Sequence, residues 1–112
     1  MVEVIGTDEF ADWFQGLDDA DTDAVIRAVG RLEERGVTLP APYSSQIKGS
    51  QYSFRELRAQ SQGAPLRILY AFDPKRRAVL LLGGDKTGDD RWYATQVPRA
   101  ERIWETYLHE MD

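Results

Sequence analysis

Val79 to Leu82 are four consecutive apolar residues set between Arg76-Arg77 and Gly83-Gly84, and no other stretch constrains the chain as much. A short apolar run bounded by turn formers reads as a buried strand. Gly83 and Gly84 allow positive φ, so they are expected to stop this strand and turn the chain sharply. A polar loop follows, Asp85 to Arg91, and then Trp92 and Tyr93. The strand therefore delivers charged and aromatic groups to one edge of the protein. Functional groups collect on such loops, although a plain solvated connection has the same composition.

The rest of the chain supplies partners for that strand. Val2-Glu3-Val4-Ile5, ended by Gly6, reads as a first strand. Thr7 or Asp8 caps a helix whose Phe10, Trp13, Phe14 and Leu17 form one apolar face. After an acidic link, Asp21 or Thr22 is expected to cap a second helix, with Val25, Ala28, Val29 and Leu32 facing inward and Gly36 as its left-handed stop. The short connection predicts an antiparallel helical pair. Arg27, Arg31 and Arg35 repeat at four-residue spacing on another face, expected to be solvated, with a nucleic-acid contact as the alternative. Residues 37–51 are rich in Pro, Gly and Ser and read as a loop. Residues 52–59 and 65–72 alternate as strands, and Asp73 to Arg77 is a tight hairpin turn leading into the 79–82 strand. Pro98 suits the first turn of a last helix, whose stripe of Ala100, Ile103, Trp104, Tyr107, Leu108 and Met111 is expected to pack on the sheet. The order β-α-α-β-β-β-α predicts an α+β domain spanning 1–112, an antiparallel meander packed with an N-terminal helical pair and a C-terminal helix.

The 112 residues contain no cysteine and one histidine, His109, so thiolate chemistry, a Ser-His-Asp triad and a two-histidine metal site are not expected. No apolar run is long enough to span a membrane and no signal peptide is visible, which points to the cytoplasm. The net charge of −5 hides segregation. Residues 1–47 carry ten acids and three bases (−7), residues 48–91 nine bases and five acids (+4), and residues 92–112 four acids and two bases (−2). A basic face is thus expected opposite an acidic helical pair, and its pull on a polyanion would weaken with salt.

Strand parity places Arg58 and Arg67 on one face of neighbouring strands, and Lys86 and Tyr93 come from the loop beyond the 79–82 strand. Guanidinium groups bind phosphate oxygens bidentately and stabilise charge developing on phosphorus. A lysine or tyrosine with a depressed pKa can exchange a proton, or the tyrosine ring can stack on a base. That set suffices to cleave RNA with its own 2′-hydroxyl as nucleophile, without histidine, metal or cofactor. The further bases Lys48, Arg55, Arg76, Arg77 and Arg91 are candidates for contacting the RNA backbone. The same residues admit a purely structural reading, with Arg58 paired to Glu56 or Asp73, Lys86 to Asp89, and Tyr93 in the core.

In order along the chain, ELR at 56–58, RILYAF at 67–72, AVLLLGGDKTGD at 78–89 and WY at 92–93 resemble the phage-derived, HigB-like branch of the RelE/HigB toxin superfamily. The resemblance covers nearly the whole chain and the element order fits it. It implies a RelE-like fold and the toxin of a type II toxin–antitoxin system, a ribosome-dependent endoribonuclease that cuts mRNA in the ribosomal A site and inhibits translation. It also implies a cognate antitoxin partner, HigA-like with a helix-turn-helix DNA-binding domain, so that DNA is met only through the antitoxin. Arg58, Arg67, Lys86 and Tyr93 match its catalytic positions, and His109 is expected at the surface. A gyrase inhibitor of the ParE kind, or an interaction module without toxicity, are the competing classes.

Overall fold

A computed structural model describes residues 1–111. Its elements in chain order are β1 (Val4–Gly6), α1 (Asp8–Gln15), α2 (Asp19–Arg35), a 3-10 turn (Gly36–Thr38), β2 (Ser44–Gln46), β3 (Arg55–Ser61), β4 (Ala64–Phe72), β5 (Ala78–Asp85) and α3 (Trp92–Glu110). The α+β class, the meander, the N-terminal helical pair and the C-terminal helix are all as the sequence predicts. The five strands lie in the order β1-β5-β4-β3-β2; β2 to β5 are antiparallel and β1 joins β5 in parallel.

The sheet is covered on both faces. Leu57, Ile68, Tyr70 and Leu80 meet Phe10 of α1 and Val25, Ala28 and Leu32 of α2 on one side. Leu69, Val79, Leu81 and Leu82 meet Ala100, Ile103 and Trp104 of α3 on the other. This explains the run of apolar residues at 79–82, since a strand buried on both faces needs no polar alternation. The register shifts between Leu69 and Tyr70, which pair with Leu82 and Leu80. The extra residue, Leu81, turns with Leu82 toward α3, as a β-bulge allows.

Four local expectations are corrected. First, β5 does not stop at Gly83-Gly84 but continues to Asp85, and neither glycine has positive φ; the turn falls at Gly88 (φ 66°). The glycines serve close approach instead. A Cβ on Gly83 would sit 2.3 Å from the Trp13 ring on one face, and a Cβ on Gly84 2.8 Å from Nε1 of Trp92 on the other. Second, α2 starts earlier than Asp21, because the Asp18 carboxylate accepts the Asp21 N–H at 2.8 Å and Asp19 and Asp21 favour the helix N-terminus. At its other end Gly36 has φ 55° but ψ −131°, which begins a 3-10 turn rather than a left-handed cap. Third, the stretch read as a loop over 37–51 contains β2, a three-residue edge strand too short to show periodicity. Fourth, α3 begins at Trp92, so Tyr93 is helical and Pro98 lies inside the helix. Pro98 and Ala94, whose carbonyl loses its i+4 donor, are both exposed, so water can satisfy the carbonyl.

Candidate functional site

Arg58 and Arg67 are direct cross-strand partners, so their side chains leave the same face side by side. Arg67 in turn pairs with Gly84. Because Gly84 has no side chain, the Trp92 ring settles on it, and the first turn of α3 lies down on the sheet. That places Tyr93, next to Trp92, over β3. Its hydroxyl donates a short hydrogen bond to Oε1 of Glu56. Lys86, just past the end of β5, brings its Nζ to 5.5 Å from the Tyr93 ring centroid. Arg58, Arg67, Lys86 and Tyr93 therefore come together, as the sequence predicts for the first three from strand parity and loop position.

The centre of the cluster is Glu56, a residue that did not stand out in the sequence as a site group. Its side chain is 6% exposed. Oε2 accepts from Ser45 Oγ at 2.8 Å, from Arg58 Nη2 at 3.0 Å and from Arg58 Nε at 3.2 Å. Arg67 Nε lies 3.5 Å from Oε1, an ion-pair distance without an aligned hydrogen bond, so this buried N–H has no hydrogen-bond acceptor. Arg67 Nη1 donates to the Leu66 carbonyl at 3.0 Å. The local signal in the sequence was present: a glutamate between two cationic candidates, on their strand face. It was read only as a structural partner for Arg58.

Burial alone would raise the Glu56 pKa, but hydrogen bonds from Tyr93, Ser45 and Arg58 and the Arg58 charge outweigh it and hold the carboxyl below its ordinary value. Tyr93 moves the other way. Burial and the bond to Glu56 push its phenol up to about 12, against a weaker opposing effect of Arg67. The depressed tyrosine pKa considered from the sequence is thus overturned: at neutral pH Tyr93 holds its proton and is a donor, while Glu56 is the ionised acceptor beside it.

Asp73 makes a second such arrangement at the opposite end of the sheet. Burial raises its pKa, but backbone and side-chain bonds from Arg77 and the Tyr107 hydroxyl lower it overall. Both acids are expected to stabilise the fold by the same sign. A carboxyl whose folded pKa lies below its unfolded value contributes stability above the unfolded pKa and loses it as pH falls through the folded one. Stability in denaturant titrations should stay level from neutral pH to about 4.5 and then fall. Glu56→Gln should flatten part of that fall; an identical acid profile in the variant would show that Glu56 is not held ionised.

The other basic candidates separate. Lys48 is exposed and shares a groove with Tyr93, Ala94 and Pro98, so it flanks the cluster. Arg91 is exposed two residues before Tyr93. Arg55 does not join them: its parity is that of Leu57, on the side of the helical pair, and its Nε donates to Ser44 Oγ at 3.1 Å. Arg77 is engaged with Asp73 and Tyr107, and Arg76 sits in the same turn with φ 63°. Six residues of β4, on the order of 20 Å, separate that turn from Arg67. His109 is exposed, as expected. The clean separation of an acidic helical pair from the basic face does not hold, because Arg27 and Arg31 of α2 line a cleft together with Arg58 and Arg67. Among the described residues no group of three or more His, Asp or Glu is placed to hold a metal ion, and no helix is long and apolar enough to cross a membrane.

Residues 12–105 match the family described as Phage derived protein Gp49-like. Two proteins of Mycobacterium tuberculosis are similar over most of the chain. The one named "Putative toxin HigB2" is 36% identical over 103 residues, covering 89% of this chain and 51% of its own length. The one named "Putative toxin HigB3" is 41% identical over 98 residues, covering 86% of this chain and 84% of its own. The chain thus spans about half of the first relative and most of the second.

Proposed function

This chain belongs to the phage-derived Gp49-like family, and from that membership we propose that it is the toxin of a type II toxin–antitoxin system, a ribosome-dependent endoribonuclease that cuts mRNA in the cytoplasm and halts translation. The cognate antitoxin, of the HigA kind with a helix-turn-helix domain, would be its protein partner. The single observation that supports the reading most is the convergence of Arg58, Arg67, Lys86 and Tyr93 on one ionised, buried carboxylate, Glu56.

In this reading an entering phosphate competes with Glu56 for the two guanidinium groups. Arg67 has a free buried N–H to offer, so it gains a hydrogen bond by the exchange. Arg58 and Arg67 hold the scissile phosphate and stabilise the charge that grows on its oxygens. The 2′-hydroxyl attacks phosphorus, its proton passes to Glu56, and the P–O5′ bond breaks. The leaving 5′-oxygen takes a proton from Tyr93 or Lys86, and the products are a 2′,3′-cyclic phosphate and a 5′-hydroxyl. Proton-transfer groups of this kind contribute about 100- to 10,000-fold each.

Mapping mRNA 5′ ends in translating and non-translating extracts tests the reading. Cuts phased with codons and present only during translation are expected. Double-strand DNA breaks linked to gyrase, with intact mRNA, would replace it with the ParE-like alternative.

A further inference from the structure

We propose that the cleft between α2 and the end of β3 is a second phosphate subsite, holding a backbone phosphate next to the one that is cut on the same RNA strand. The proposal rests on the RNA-cleavage reading. The cleft, of about 400 Å³, is lined by Arg27, Arg31, Arg58 and Arg67, with Tyr43 and Gln60 among its other walls. It opens because β2 covers β3 only from Arg55 to Leu57. Past that point the β3 edge keeps one backbone bond, from Arg58 N–H to the Tyr43 carbonyl, and then runs free beside α2.

The arginines there are set up for an anion. Arg27 and Arg31 are one turn apart on α2 and share a face. Among the described residues neither makes an ion pair; Asp23, one turn before Arg27, does not bond it. Arg31 is held with its guanidinium 4.7 Å from the Tyr43 ring centroid, which fixes the fork without neutralising it. Four guanidinium groups thus face one space, and Glu56 is the only carboxylate paired with any of them. Such mutual repulsion is relieved by a polyanion. An RNA strand fits better than an acidic peptide for a geometric reason. Arg58 and Arg67 face both the cleft and Glu56, so whatever fills the cleft runs on into the cluster, as a continuous chain of phosphates does. Tyr43, 42% exposed at the rim, offers a ring to an unstacked base.

Binding of a non-cleavable 2′-O-methyl RNA nonamer, read by fluorescence anisotropy across salt concentrations, tests the assignment on the full chain. Each phosphate contact on a single strand adds about 0.7 to the log–log salt slope. Arg27→Gln with Arg31→Gln should reduce the slope by about 1.4 and weaken binding about tenfold. Arg27→Gln alone, at an exposed side chain without a partner, should give about half the slope change and cannot act by unfolding the rim. Unchanged slope and affinity in both variants, with codon-phased cutting intact, would overturn the subsite and leave the proposed function standing. Weaker ribosome binding with an unchanged nonamer slope would give the cleft to ribosomal RNA, and displacement of a polyglutamate probe with no effect on RNA would give it to an acidic protein; either result overturns the strand assignment. A wild-type protein that neither binds the nonamer nor cuts mRNA overturns the proposed function together with the subsite, a distinct outcome.

Discussion

Replacing Arg67 by alanine is expected to slow mRNA cleavage about 100- to 1000-fold, the usual loss when one donor to a developing oxyanion is removed. Arg67 is the more committed of the two guanidinium groups: its side chain is 13% exposed against 37% for Arg58, and its Nε awaits an acceptor. Glu56 keeps Ser45, Arg58 and Tyr93 in the variant, so the carboxylate is not stranded and the fold should survive. Arg67→Lys separates charge from geometry. A lysine restores the charge but not the planar fork, so it should recover only part of the lost rate. Lys86→Ala should likewise suppress growth arrest, with thermal denaturation confirming a folded protein. Full toxicity of Arg67→Ala at matched expression would remove the phosphate clamp from the mechanism.

Gly83→Ala is expected to destabilise the protein by about 1–3 kcal/mol, the range for forcing extra atoms into packed space. The cause is specific: the new methyl would meet the Trp13 ring at 2.3 Å, and Trp13 belongs to α1, which packs on β5 at that point. The partner can therefore be tested directly. In a Trp13→Ala background the clash is gone, and Gly83→Ala should become neutral or stabilising, since glycine in a strand interior is itself unfavourable. A coupling near zero in this double-mutant cycle would show that Gly83 is not there to receive Trp13. Urea denaturation midpoints at constant slope give the four values needed.

Periodicity was enough to read the long elements. The apolar stripes of α1, α2 and α3 and the alternation in β3 and β4 are repeated many times, so each buried face is stated redundantly in the residues themselves. The same parity put Arg58 and Arg67 on one face, and the position of Lys86 just past β5 placed it at their end of the sheet. Local pattern failed where a single residue has two uses. Gly83 and Gly84 carry the same signal whether they turn the chain or let a tryptophan approach, and only Trp13 and Trp92, distant in sequence or on another element, decide between the two. β2 has three residues, fewer than a period-two pattern needs, and exists because β3 offers it an edge. Pro98 is a helix starter by local preference and became an interior residue because the buried Trp92 anchors an earlier start.

By itself the sequence determined the α+β class, the three-strand core of the meander and the cationic identity of the candidate site, because these rest on side-chain types and short-range spacing. The tertiary structure alone decided that Glu56 is the hub, that Tyr93 holds its proton, and that Arg27 and Arg31 share a cleft with Arg58 and Arg67. Each of those depends on burial and on charges brought together from far along the chain, and neither burial nor long-range proximity is written in the order of neighbouring residues.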